Sequence, residues 1–133
     1  PAVTYLDPEV ARAGLTEAEA RKAGGTVTVI HQPLSCNDRA QTEKSAEGFV
    51  KVVVGPRRRI LGATIVAPHA GELIGLWGLA ISQRLPISAV AQMILPYPTL
   101  SELSKRAASA YYAPKLFGER SRSIVRFIQK WLP

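Results

Sequence analysis

An α+β layer fold, an antiparallel β-sheet with helices packed on one side, is what this sequence predicts. Three observations carry that prediction. Runs with strand character cluster in the first half of the chain and helical runs mostly in the second, without the alternation that builds parallel sheets. Two strand-like runs, residues 48–54 and 59–66, are separated only by the break at Gly55-Pro56. A connection that short implies an antiparallel hairpin, because parallel pairing needs a crossover of about a dozen residues or more. The stretch 70–83 is apolar nearly all round, so as a helix it must be covered on both sides.

Taken in order, residues 2–6 lean towards strand and Asp7-Pro8 ends them. Residues 9–13 read as one turn of helix closed by Gly14. Thr16-Glu17-Ala18-Glu19 is a capping box, and Gly24-Gly25 stops the helix it opens. Residues 26–30 alternate Thr with branched side chains and read as a strand. Residues 32–41 read as polar and irregular, with Asn37-Asp38 as a turn signal. Gly62, inside the second hairpin strand, points to close backbone approach or a bulge.

In the 70–83 helix, Leu73, Ile74, Trp77 and Ile81 share one face, and Leu76 and Leu79 lie on another. One face fits the sheet; the other needs a partner in this chain or in a second copy. Pro86 opens a further short helix to about Met93. A helix starting at Thr99 is expected to run to about Tyr112, since Pro114 forbids much continuation. The segment 120–132 puts Ile124, Phe127, Ile128 and Trp131 on one stripe and Arg122, Arg126 and Lys130 on another, so a C-terminal helical tail is added to the fold.

The 133 residues suffice for one domain with a real core. At 47% hydrophobic and 20% charged the chain is globular. The single cysteine, Cys36, forbids an internal disulfide framework and fits a reducing compartment, so a cytoplasmic location is expected. A free cysteine of this kind reads as an inert buried thiol. No signal segment opens the chain, and the longest apolar run, near 73–81, is too short to span a bilayer. The net charge of +7 is concentrated at Arg57-Arg58-Arg59 and in the tail from Arg120 to Lys130. Neither an aromatic-interleaved RNA motif nor a recognition-helix pattern accompanies it, so no nucleic acid is expected. The tail has two readings: its apolar stripe packs on the protein's own dimer, or it lies on an anionic membrane surface. His31 and His69 are far apart, with no acidic or Cys partner at metal-ligand spacing, so no metal is expected. Glu72, near a helix start, favours the helix dipole.

The remaining stretch is Ile94-Leu95-Pro96-Tyr97-Pro98-Thr99-Leu100-Ser101-Glu102. Its prolines hold the backbone extended. Thr99 and Glu102 have capping-box spacing, and Tyr97 is set just before the helix, five positions from a carboxylate. Helix capping and a packed aromatic explain these residues without chemistry.

A resemblance gives them a second reading. Pro98-Thr99-Leu100-Ser101-Glu102 resembles the Pro-Thr-x-Ser-Glu motif in the C-terminal dimerisation domain of the pyridine nucleotide-disulfide oxidoreductases, the family of dihydrolipoamide dehydrogenase, glutathione reductase and mercuric reductase. Further blocks are similar in the same order: Thr16-Glu17-Ala18-Glu19-Ala20-Arg21, Asn37-Asp38-Arg39-Ala40, Gly48-Phe49-Val50-Lys51-Val52, Ile60-Leu61-Gly62-Ala63 and Ala70-Gly71-Glu72-Leu73-Ile74. The resemblance therefore implies a dimerisation domain over 1–113 and an amphipathic extension over 114–133. It implies a homodimer whose parent chain also carries FAD and NAD(P) domains. This sequence has neither a Gly-x-Gly-x-x-Gly fingerprint nor a cysteine pair, so it is expected to be part of a longer, flavin-dependent oxidoreductase and inactive alone.

In the family, hydride passes from NAD(P)H to flavin and on to a cysteine pair, and the segment before the motif lies against the partner subunit's flavin. The resemblance thus assigns Tyr97 and Pro98 to flavin contact and Tyr97 and Glu102 to catalysis. The family places an acid–base His, oriented by the Glu, where this chain has Tyr97. Imidazole titrates near ~6.5 and phenol near ~10, so Tyr97 is a poor base at neutral pH but can still form hydrogen bonds. Loss of the His counts against lipoamide or glutathione chemistry. Mercuric-reductase-like members share that loss but resemble one another in a C-terminal cysteine pair, which is absent here. The alternative is a stand-alone binding module that uses its basic tail for anionic membrane or nucleic acid.

Overall fold

A computed structural model describes residues 1–113. The extension 114–133, with its expected helix and its membrane reading, lies outside the described residues. The described elements are β1 (Ala2–Thr4), β2 (Glu9–Gly14), α1 (Glu17–Lys22), β3 (Thr28–Pro33), α2 (Asp38–Thr42), β4 (Phe49–Val54), β5 (Ile60–Ala67), α3 (Ala70–Ser82), α4 (Ile87–Ala91) and α5 (Glu102–Ala110). The strands form one five-stranded sheet in the order β1-β2-β5-β4-β3. Every pairing is antiparallel. This is the α+β layer arrangement expected from the sequence.

Residues directly opposite in neighbouring antiparallel strands share a face. Ile30, Val52, Ala63 and Ala13 therefore line one row across four strands, and all are buried. Val50, Ile65 and Ala11 make the adjacent row and are fully buried. The alanines of β2 and β5 keep that end of the face low, and α3 packs there; α5 packs over β3 and β4. Trp77 of α3 fills the space between, fully buried, and its indole Nε1 donates to Ser104 Oγ of α5 at 3.0 Å. A buried indole N–H needs such a partner. The half-exposed opposite face carries Lys51, whose Nζ lies 2.6 Å from Glu17 of α1.

Two glycines show why the β4–β5 hairpin and its neighbour fit. A Cβ on Gly62 would sit 1.9 Å from the Leu15 carbonyl oxygen, so the close approach read from the sequence is real, and a register irregularity lies beside it at Val53/Val54. Gly14 has φ +71, a conformation that favours glycine, where the chain leaves β2. The Thr16 capping box forms in full: Thr16 Oγ1 accepts from Glu19 N, and Glu19 Oε2 accepts from Thr16 N at 2.7 Å. That bond, followed by one from the Thr16 hydroxyl, holds the Glu19 carboxyl below its ordinary range.

The structure corrects several expectations. Residues 9–13 form strand β2, because they sit between β1 and β5 and pair with both. Glu9 instead serves another helix: its Oε2 accepts from Gly71 N at 2.9 Å in the first turn of α3, where His69 offers no side-chain cap. The region 32–41 is ordered: β3 runs to Pro33, a 3-10 turn follows, and Asn37 caps α2. Cys36 is exposed, because the short turn points it away from the core. On α3, Ala70, Ile74, Trp77 and Ala80 make the buried stripe; Leu73, Leu76 and Ile81 are only partly covered, and Leu79 is 60% exposed. Helix α4 starts after Pro86 as expected. Among the described residues no helix is long and apolar enough to cross a membrane.

Removal of the Ser104 hydroxyl leaves a buried indole donor unpaired. Ser104→Ala is therefore expected to lower stability by about 1–3 kcal/mol, read from the urea midpoint. Gly62→Ala forces the β2–β5 edge apart and is expected to cost about 1–3 kcal/mol by overpacking. An unchanged midpoint in either variant contradicts the packing described.

Candidate functional site

Residues 93–99 form a surface loop between α4 and α5. Ile94 is 94% exposed and Tyr97 68% exposed, two large apolar side chains close together in one loop. The loop does not flap freely, because residues at the start of α2 hold it. Asn37 is fully buried. Its Oδ1 accepts from Ala40 N at 3.0 Å, capping α2, and its Nδ2 donates to the Thr99 carbonyl at 3.0 Å. Next to it, Asp38 Oδ2 accepts from the Tyr97 hydroxyl at 3.0 Å and from Arg106 Nη2 at 3.0 Å. Arg106, on α5, also donates through Nη1 to the Cys36 carbonyl at 2.6 Å. Two consecutive residues, the N-cap and first residue of α2, thus grip both ends of the Tyr97–Thr99 step, and α5 braces one of them.

The expected Thr99–Glu102 capping box does not form. Thr99 Oγ1 donates to the Pro96 carbonyl at 3.0 Å, Glu102 N reaches the Thr99 carbonyl at 3.4 Å, and α5 starts only at Glu102 without a side-chain cap from Ser101. Glu102 does not orient Tyr97 as the family's Glu orients its His: the phenol donates its hydrogen bond to Asp38 instead. Glu102 Oε2 is buried and has no hydrogen-bond partner among the described residues. Pro98, assigned with Tyr97 to flavin contact, is exposed beside it and joined by a cis peptide. The structure therefore places Tyr97, Pro98 and Glu102 in one neighbourhood and couples Tyr97 to a different carboxylate.

The hydrogen bond to Asp38, and then the Asp38 charge itself, push the Tyr97 phenol above its ordinary 10.0; Glu102 adds to the rise and Arg106 opposes it. Tyr97 is accordingly a neutral hydroxyl at any physiological pH and a weaker acid than free tyrosine. Neither histidine joins this site. His31 stacks on Phe49, with ring centroids 4.6 Å apart, and among the described residues no cluster of His, Cys, Asp and Glu could hold a metal ion. Asn37, Asp38 and Arg106 were not singled out as site residues by sequence reasoning. The Asn37-Asp38 turn signal marked the right place but not what it grips, which is about sixty residues away.

A phenol whose pKa is raised by folding stabilises the fold below its unfolded value, and that contribution is lost as pH rises through the folded value. Stability is thus expected to fall more steeply above about pH 10 in the natural sequence than in Tyr97→Phe. Urea midpoints followed from about pH 9 to about pH 11 check this. Identical slopes contradict the Tyr97–Asp38 bond. Asn37→Ala, which strips both a helix cap and the Thr99 anchor, is expected to cost about 1–3 kcal/mol, measured the same way.

The family model described as the pyridine nucleotide-disulphide oxidoreductase dimerisation domain matches residues 1–108. A dihydrolipoyl dehydrogenase of Schizosaccharomyces pombe is 41% identical over 116 residues, covering 86% of this chain and 23% of its own length. One from Thermus scotoductus is 45% identical over 113 residues, covering 84% and 24%. Among solved structures, LpdA of Mycobacterium tuberculosis superposes with TM-score 0.77 at 30% identity, over 83% of this chain and 24% of that one. The flavoprotein disulfide reductase RclA of Escherichia coli, in its Cu(II) complex, gives 0.79 at 26% identity, over 82% and 25%. The chain spans about a quarter of the length of the relatives it matches. With the sheet order, the helix layer and the 94–102 segment in place, this chain belongs to the dimerisation-domain family of the pyridine nucleotide-disulphide oxidoreductases.

Proposed function

We propose that this chain is the dimerisation domain of an FAD-dependent NAD(P)H oxidoreductase that works as a homodimer, and that its 94–99 loop reaches the partner subunit's flavin–disulfide site. The observation that carries this reading is Tyr97. It is 68% exposed in the single chain, yet held in one place by Asp38, at the position where the resemblance expects the acid–base residue. An exposed aromatic with a fixed orientation fits a surface that another protomer covers. Ile94 and Leu79 add apolar area that the single chain leaves open to water. Burying such area is the main driving force for association.

FAD and NAD(P) belong, in this reading, to other domains of the parent chain. Bound there, FAD would supply the electron transfer between the nicotinamide and a disulfide. What this chain brings is position and hydrogen bonding. The loop sets Tyr97 and Pro98 against the partner, and Asn37 and Asp38 at the start of α2 hold the loop in place. The phenol supplies an oxygen that stays protonated across the working pH range, because Asp38 holds its ionisation above the ordinary value. A residue of this kind orients a group and does not take a proton from it at neutral pH.

In the parent protein, Tyr97→Phe is expected to lower turnover by about three- to tenfold, the worth of one hydrogen bond, with flavin content and dimer mass unchanged. Turnover equal to that of the natural protein returns Tyr97 to a packing role. Light scattering of the chain alone is expected to give twice the monomer mass at high concentration. A monomer there contradicts self-association through this domain.

A further inference from the structure

Asp38, which holds the Tyr97 ring in place, and Arg106, which holds Asp38, also decide which way the phenol hydroxyl works. The phenol has one proton and its oxygen has two lone pairs. The proton is committed to Asp38 Oδ2 at 3.0 Å. That carboxylate oxygen does not swing away, because Arg106 Nη2 holds it at 3.0 Å while the same guanidinium is anchored to the Cys36 carbonyl. Arg106 lies on α5 and Asp38 on α2, so two elements remote in sequence define the direction together. What remains free on an exposed ring is the acceptor side of the oxygen.

The geometry points to Asp38, braced by Arg106, as a positioning residue that turns Tyr97 into a hydrogen-bond acceptor, so that the group Tyr97 meets across the dimer is a donor. This rests on the proposed placement of Tyr97 at the partner's site. It separates that placement from the assignment of the phenol as an acid: Tyr97 does not protonate a leaving group while Asp38 holds its hydrogen. Charged groups facing the phenol are Asp38, Glu102 and Arg106. Loss of the first frees the proton and makes the hydroxyl easier to ionise.

The experiment compares kcat against pH for the parent enzyme with Tyr97→Phe, Asp38→Ala and both. Each single change is expected to lower kcat about three- to tenfold, and the double change no further, because both remove the same oriented oxygen. Asp38→Ala is also expected to move the alkaline limb of the kcat profile to lower pH, and the double variant to lack that shift. A merely structural role for Asp38 moves stability but not this limb. If Tyr97→Phe lowers kcat while Asp38→Ala leaves kcat and the limb alone, or adds to Tyr97→Phe, the positioning role is overturned and the placement of Tyr97 stands. If Tyr97→Phe changes nothing, the placement itself falls and the positioning role with it. Should Asp38→Ala fail to fold, Asp38→Asn keeps the size, removes the charge and is read by the same shift of the limb.

Discussion

Asn37 is the constraint on which the site depends. Its side chain is fully buried, and a buried amide costs stability unless its groups are paired. It pairs them in opposite directions: the oxygen caps α2, and the nitrogen ties down the carbonyl of Thr99. That single side chain sets the register between the turn after β3 and the loop before α5. Asp38 then follows by geometry alone, since the residue after a helix N-cap projects beside it and here meets Tyr97. An exposed loop with two prolines becomes a defined presenting surface without a core of its own.

The sheet explains why that surface is worth holding still. Small residues in β2 and β5 let α3 lie close to the strands, Trp77 wedges between α3 and the sheet, and Ser104 ties the indole to α5. The Trp77–Ser104 bond therefore couples the helix that leaves Leu79 uncovered to the helix that carries Arg106. One buried hydrogen bond and one ion pair thus run from α3 through α5 to Asp38 at the base of the Tyr97 loop.

Much of the fold was legible in the residues, and the misses have physical causes. The hairpin of β4 and β5, the close approach at Gly62, the Thr16 capping box and the long α3 all rest on local chemistry, and all are present. Strand β2 was hidden because Glu9-Val10-Ala11-Arg12-Ala13 has helix-forming residues, and only pairing on both sides makes it extended. The Thr99–Glu102 spacing matched a cap, but the Glu102 N–H turns to the Thr99 carbonyl and the Thr99 hydroxyl donates to Pro96, so the side chain caps nothing. For the site, Tyr97 and Glu102 stood out through their place in a motif. The actual partner of Tyr97 did not, because Asp38 lies 59 positions away in sequence and is itself braced by Arg106 from 68 positions away, pairs that no local pattern announces.

In the proposed function this loop faces another protomer's redox centre. A crystal structure of the flavin-loaded parent protein measures it directly, as the distance from the Tyr97 hydroxyl to the isoalloxazine of the opposite subunit. Van der Waals or hydrogen-bond contact across the two-fold axis is expected, with Asp38 still accepting the hydrogen bond of the phenol. A Tyr97 side chain turned into bulk solvent, remote from that axis, contradicts it.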